Sequence, residues 1–157
     1  MAKIVPDFDL CTGCGICMLA CSEQNFGGYN PRYAVMNIIT MQDEIFEEPI
    51  MCNQCTNAAC MRVCPVEAIN TKTINLVTKD ETIQTTVVSI DKEKCTGCGL
   101  CKEYCPRGVI VINENKAHKC ELCHESPQCV KTCPKNALKI YPDPIPAGNL
   151  EGVEKNA

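Results

Sequence analysis

The sequence predicts an α+β fold of short strands and helices arranged in duplicated small units. Three observations carry that expectation. The chain has 16 cysteines in 157 residues, and they fall into four quartets with none left over. A Cys-Thr-Gly-Cys-Gly loop occurs at 11–15 and again at 95–99, each time after a short apolar lead-in, which is an internal repeat. The β-branched runs between the quartets are brief and broken by polar residues, so no long element is expected.

In chain order, residues 4–9 read as a strand entering the first quartet, Cys11, Cys14, Cys17 and Cys21. Residues 33–41 (Tyr-Ala-Val-Met-Asn-Ile-Ile-Thr-Met) read as a strand before the second quartet, Cys52, Cys55, Cys60 and Cys64. Residues 72–78 and 82–90 flank the polar Lys79-Asp80-Glu81 and read as a hairpin. The third quartet is Cys95, Cys98, Cys101 and Cys105. Val109–Ile112 and Lys116–Ala117 then flank Asn113-Glu114-Asn115 as a second hairpin, and the fourth quartet is Cys120, Cys123, Cys129 and Cys133. Short amphipathic stretches at 66–69, 108–112 and 136–140 fit a brief helix and then a strand. Residues 141–157 carry Pro142, Pro144 and Pro146, then glycine and acidic residues. They are expected to be an extended tail, and a candidate partner contact because polyproline loses little entropy on docking.

Every quartet ends Cys-x-x-x-Cys. The first and third have the bacterial ferredoxin spacing C-x2-C-x2-C-x3-C, and Pro65, Pro106 and Pro134 follow the last thiol of every quartet except the first. Such a run holds [4Fe–4S] clusters, its fourth cysteine crossing to a neighbouring cluster. The x2 spacing curls a loop so that successive sulfurs point inward, with Gly13 and Gly97 permitting the tight turn. The x3 step carries the last cysteine about one helical turn onward, away from its own loop. Sixteen thiolates at four per cubane imply four clusters and an electron conductor, with the hairpins as scaffold that spaces them. Zinc is the alternative, since paired CxxC units are the usual pattern of zinc ribbons. The expanded second (x2, x4, x3) and fourth (x2, x5, x3) quartets also admit a [3Fe–4S] variant.

The remaining candidates read more blandly. His118 and His124, beside fully supplied cysteine sets, read as surface residues. Lys94 and Lys119 each precede a quartet; they read as solvated lysines, with a potential-raising charge as the sharper reading. Tyr104 and Phe26 read as shields against water. With no Trp and 4% aromatics the apolar core is thin, so bound metal must supply much of the stability and the metal-free chain should be largely unfolded. The formal charge of −4, made more negative by anionic clusters, argues against nucleic acid and suits a basic patch on a protein partner. No G-x-G-x-x-G or Walker loop points to NAD, flavin or ATP on this chain. The N-terminus lacks an apolar h-region and a twin arginine, and no run approaches a membrane span, so a reducing cytoplasm is expected.

The four quartets in this order, with the second reading Cys52-Asn-Gln-Cys55-Thr-Asn-Ala-Ala-Cys60-Met-Arg-Val-Cys64-Pro65 and the first ending Cys21-Ser22, resemble the four-cluster ferredoxin subunits of molybdenum and tungsten pterin oxidoreductases over residues 4–140. The resemblance implies two ferredoxin-like lobes with pseudo-two-fold symmetry: residues 1–30 with 114–140, and residues 45–113 including the hairpin at 72–90. It implies nested ligation. Cluster 1 takes Cys11, Cys14, Cys17 and Cys133; cluster 2 takes Cys120, Cys123, Cys129 and Cys21. Cluster 3 takes Cys95, Cys98, Cys101 and Cys64; cluster 4 takes Cys52, Cys55, Cys60 and Cys105. Subunits of the dimethyl sulfoxide reductase and respiratory formate dehydrogenase type carry a longer insert in the fourth quartet. The short form here is similar to the ferredoxin subunits of tungsten aldehyde oxidoreductase-type enzymes, including the benzoyl-CoA reductase branch. The function implied is a non-catalytic subunit relaying electrons between a metallopterin catalytic subunit and a flavin subunit, another redox subunit or further copies of itself. A free-standing polyferredoxin and a subunit of a formate dehydrogenase or hydrogenase complex are the alternatives.

Overall fold

Three of the four α-helices among the described residues stop where a proline forces them to. In the computed structural model, which describes residues 1–40, 47–78 and 81–141, α2 (Ala59–Arg62), α3 (Leu100–Glu103) and α4 (Gln128–Thr132) each span about one turn. Cys64, Cys105 and Cys133 follow them, and each precedes a proline. The residue before proline is driven out of the helical region, and Cys133 is extended at φ −68, ψ 111. In the first quartet Ser22 replaces the proline, and α1 (Ile16–Phe26) continues for 11 residues. Ser22 is fully buried. Its hydroxyl donates to the Gly28 carbonyl and accepts from Asn30 N at 3.0 Å, fixing the chain's exit from the helix.

Among the described residues the strands form four two-stranded antiparallel sheets. β1 (Lys3–Pro6) pairs with β8 (Leu138–Tyr141), with Ile4 opposite Ile140, so the segment before the first quartet lies beside the segment after the fourth. β2 (Asn37–Thr40) pairs with β3 (Glu47–Ile50), where Pro49 is tolerated because the ladder has one neighbour only. β4 (Ile69–Val77) and β5 (Thr82–Ile90) make the long hairpin, with Ile69 opposite Ile90 and Val77 opposite Thr82. β6 (Val111–Asn113) and β7 (Lys116–His118) make the short one.

Buried side chains collect in two groups. One joins Cys17, Cys21 and Cys129 to Val35, Met51, Leu76, Val87, Leu122 and Leu138. The other joins Cys95 and Cys101 to Ala68, Ile69, Val88, Ile90 and Ile110. Successive strand residues face opposite sides of a sheet. Accordingly Val87 enters the first group and Val88 the second, and the end of β5 is buried on both faces between them.

Both hairpins form as the sequence predicts, although Lys79 and Asp80 lie outside the described residues. The strand expected over 33–41 is shorter. Pro31–Tyr33 is a 3-10 turn, and Ala34, Val35 and Met36 are buried without pairing. Their hydrophobicity serves the core around the first and fourth quartets, where period alone cannot separate a strand from buried coil. The stretches after the last cysteines begin as turns rather than helices and then enter β4, β6 and β8. The helices fall instead on the Cys-x-x-x-Cys steps. The proline-rich segment 142–157 lies outside the described residues.

Candidate metal centres

One left-handed turn recurs at the third position of every leading Cys-x-x-Cys loop. Gly13 (φ 65) and Gly97 (φ 71) adopt it in the first and third quartets, and Gln54 (φ 47) and Leu122 (φ 54) in the second and fourth. A β-carbon in that region costs about 1–2 kcal/mol. The two side chains offset it. Leu122 is 1% exposed in the first apolar group. Gln54, 3% exposed, donates Nε2 to the Cys120 carbonyl at 2.7 Å and accepts from Val88 N at 2.9 Å.

A second left-handed turn recurs three residues past the last cysteine, at Glu67, Gly108 and Asn136 (φ 49, 65 and 50). In two of the three quartets the next amide bonds the thiol just passed: Ala68 N donates to Cys64 Sγ and Ala137 N to Cys133 Sγ, each at 3.3 Å. Ala117 N donates to Cys95 Sγ at 3.3 Å. Amides on sulfur favour the ionised ligand and a more negative centre.

The thiols converge in sets that mix quartets. Cys11, Cys14 and Cys17 line a cavity of about 20 Å³ with Cys133. Cys52, Cys55 and Cys60 line one of about 30 Å³ with Cys105. Cys95, Cys98 and Cys101 line one of about 20 Å³ with Cys64. Cys120, Cys123 and Cys129 line the fourth with Cys21; at about 490 Å³ it continues into a cleft holding Lys72, Lys92, His118 and His124. In each set, three cysteines of one quartet meet the last cysteine of another.

All sixteen cysteines are free. Among the described residues, no three His, Cys, Asp or Glu side chains close tightly enough to hold a single metal ion. A zinc site gathers its sulfurs at about 2.3 Å from one centre, whereas four irons keep their thiolates farther apart. Burial raises the thiols of Cys17, Cys21 and Cys101 to about 11 and that of Cys120 to about 12, with neighbouring thiols adding to it. Burial lifts Cys129 well above 9.0, with Cys120, Cys123, Cys21 and Cys17 contributing. Bare thiolates are disfavoured in these cavities, and a bound cationic core is what lets the sulfurs ionise. The donor chemistry and its spacing fit iron–sulfur clusters.

The remaining candidates divide. His124 is exposed, as expected, 4.0 Å from Glu121. His118 is half-buried and meets Phe26 with ring centroids 4.5 Å apart and the rings tilted by 45°. Burial, then Lys92, lowers its pKa, so it is neutral at pH 7. Phe26, half-buried, contacts the rings of His118 and Tyr33, whereas Tyr104, also expected as a shield, is 56% exposed. Lys94 is solvated, but Lys119 is 3% exposed and donates Nζ to the Val88 and Cys120 carbonyls. The sequence carries no signal of that burial, because Lys94 and Lys119 precede their cysteines identically. Gln54 and Ser22 are the other polar residues that sequence reasoning passes over. Among the described residues no helix is long and apolar enough to cross a membrane.

The 4Fe-4S binding domain family matches residues 4–23 and 88–111, which contain the first and third quartets. The uncharacterized ferredoxin MJ0265 of Methanocaldococcus jannaschii is 37% identical over 141 residues, covering 89% of this chain and 72% of that one. A polypeptide of the anaerobic dimethyl sulfoxide reductase of Escherichia coli is 30% identical over 158 residues, covering 87% of this chain and 71% of that one. The iron-sulfur subunit of formate dehydrogenase-O of Escherichia coli is 30% identical over 166 residues, covering 88% of this chain but 52% of the subunit. The repeated loops, the mixed-quartet cavities and these relatives agree: the chain belongs to the 4Fe-4S ferredoxin family of electron-transfer iron–sulfur proteins.

Proposed function

We propose that the chain relays electrons one at a time through four [4Fe–4S] clusters, as the non-catalytic subunit of an oxidoreductase complex. Its partners are a tungsten- or molybdenum-pterin catalytic subunit of aldehyde oxidoreductase type and another redox subunit. The observation that carries this reading is the mixed-quartet lining of the four cavities. On it, Cys11, Cys14, Cys17 and Cys133 hold cluster 1, and Cys120, Cys123, Cys129 and Cys21 hold cluster 2. Cys95, Cys98, Cys101 and Cys64 hold cluster 3, and Cys52, Cys55, Cys60 and Cys105 hold cluster 4. The pairing of β1 with β8 and of β4 with β5 supports two ferredoxin-like lobes, residues 1–30 with 114–140 and residues 45–113, related by a pseudo-two-fold axis; residues of both contribute to the first apolar group.

Bound clusters supply one-electron redox chemistry; the chain sets their spacing and potential. Shared packing gives the order. Cys17 packs with Cys21 and Cys129 in one apolar group, Cys60 and Cys105 pack against Cys95 and Cys101 in the other, and Lys119 lines the cavities of clusters 2 and 4. The path is therefore 1–2–4–3. Its two ends carry the exposed cysteines, Cys14 and Cys98. Leu10 and Ile16, 42% and 41% exposed, flank Cys14 in sequence and give that end an apolar docking rim.

The tungsten-type partner rests on the short fourth quartet. The alignment to the formate dehydrogenase-O subunit runs over 166 positions while covering 88% of this 157-residue chain, so that relative carries inserted residues. The alignment to the archaeal ferredoxin runs over 141 positions for 89% and is nearly free of gaps. That relative favours a second reading, a free-standing polyferredoxin carrier.

Anaerobic affinity capture with analysis for Fe, Zn, W and Mo tests these readings. The relay requires about sixteen irons per chain, and the preferred partner requires tungsten or molybdenum held by a large companion subunit. Iron-replete chain without a companion favours the carrier. A colourless or zinc-loaded chain overturns both.

A further inference from the structure

Lys119 has no acidic partner within ion-pair distance among the described residues, although it is 3% exposed. The nearest carboxylate along the chain, Glu121, spends Oε1 on Ile90 N at 2.9 Å. Two carbonyls, those of Val88 and Cys120, satisfy donors of the ammonium but not its charge. Burying an uncompensated cation is expensive, and such groups are retained beside an opposite charge.

The surroundings name that charge. Lys119 lines both the cavity of Cys52, Cys55, Cys60 and Cys105 and the cavity of Cys120, Cys123, Cys129 and Cys21. Gln54 locks it there, since Gln54 shares the Cys120 carbonyl with Lys119 and takes Val88 N while Lys119 takes Val88 O. Gln54 holds a left-handed φ where two other quartets have glycine, so the side chain is retained against backbone strain. The position before the second quartet that corresponds to Lys119 is Met51, also buried at 4%. One charge therefore serves both inner sites.

We propose that Lys119 is the shared counter-charge of the two inner clusters, a positioning residue that raises both of their reduction potentials. The inference rests on the four-cluster reading. A fixed positive charge stabilises the reduced, more negative state of each inner centre. One centre is oxidised as its neighbour is reduced, and Lys119 is itself neither oxidised nor reduced.

The experiment is a dithionite titration of the anaerobic full-length chain followed by electron paramagnetic resonance, with iron counted per chain. In Lys119→Met, which copies Met51, two of the four midpoints fall and two keep their wild-type values. Lys119→Arg keeps all four. Unchanged midpoints in an iron-replete Lys119→Met chain, or an equal fall in all four, overturn the assignment. Should Lys119→Met fail to load iron, Lys119→Gln, which keeps a hydrogen-bond donor but no charge, is read by the same rule. A wild-type chain that holds far fewer than about sixteen irons overturns the four-cluster reading itself, a result distinguishable from failure of the lysine assignment.

Discussion

Cys105 shares a cavity with Cys60, although the third quartet supplies one and the second the other. Cys64 makes the reciprocal crossing into the cavity of Cys95. Cys105→Ser is therefore expected to damage the cluster of Cys52, Cys55 and Cys60, with loss of about a quarter of the iron. Cys64→Ser should damage the cluster of Cys95, Cys98 and Cys101. Iron content with electron paramagnetic resonance reads both. Loss from Cys105→Ser confined to the centre of its own quartet would refute the crossing.

Gly97 and Gly13 occupy the same left-handed turn but differ in what surrounds them. A β-carbon on Gly97 would overlap the Asn115 carbonyl group and lie 2.8 Å from its Cα, all backbone atoms of the short hairpin. A β-carbon on Gly13 would meet the Glu47 side chain at 2.5 Å, which can swing aside. Gln54 and Leu122 hold the same turn with full side chains, so φ alone is tolerated at about 1–2 kcal/mol. Gly97→Ala should lose the cluster of the third quartet, while Gly13→Ala should load iron and be only mildly less stable. Thermal melts of the iron-loaded variants compare them.

Ser22 explains why one quartet lacks the proline. Position 22 lies inside α1, and its hydroxyl bonds both Gly28 O and Asn30 N with no exposure. Ser22→Ala leaves the Asn30 amide and the Gly28 carbonyl without that partner, a loss of about 0.5–1.5 kcal/mol. Ser22→Pro removes the helix bond as well, a loss of about 3 kcal/mol or more. The ranking wild type, then alanine, then proline in chemical denaturation checks the account; an alanine variant as stable as wild type would contradict it.

Much of this arrangement is legible in the sequence because cysteine spacing is a covalent ruler. The x2 loops, the single-turn x3 steps and the proline stops at Pro65, Pro106 and Pro134 are local, and local chemistry dictates them. Both hairpins are readable from their polar breaks. Residues 34–36 mislead because burial beside a cysteine cluster imitates a strand. Lys119 reads as solvated because its neighbours in space, Gln54 and Val88, are distant in sequence. The Glu47–Ile50 strand gives no signal, since Glu-Glu-Pro has little strand propensity and pairs only because β2 lies beside it.

Metal removal should unfold the chain, and the core explains why. Every sheet among the described residues has two strands, which is marginal alone, and both apolar groups are built partly from cysteines. Iron chelation under reducing, anaerobic conditions is expected to abolish most far-ultraviolet circular dichroism. Reloading should recover it with a defined pH dependence. Burial holds Cys17, Cys21 and Cys101 near 11 and Cys120 near 12, above the ordinary 9.0, so these thiols are protonated at neutral pH without metal. The loaded chain binds fewer protons than the stripped one, so loading tightens as pH rises from about 6 toward 9 and releases close to one proton per cysteine. In any metal-free folded state the sign is opposite. Raised thiol pKa values add stability below pH 9 that is lost as pH climbs through 11 to 12. Circular dichroism and proton release measured together test both halves, and a stripped chain that keeps its native spectrum would exclude clusters as the organising core.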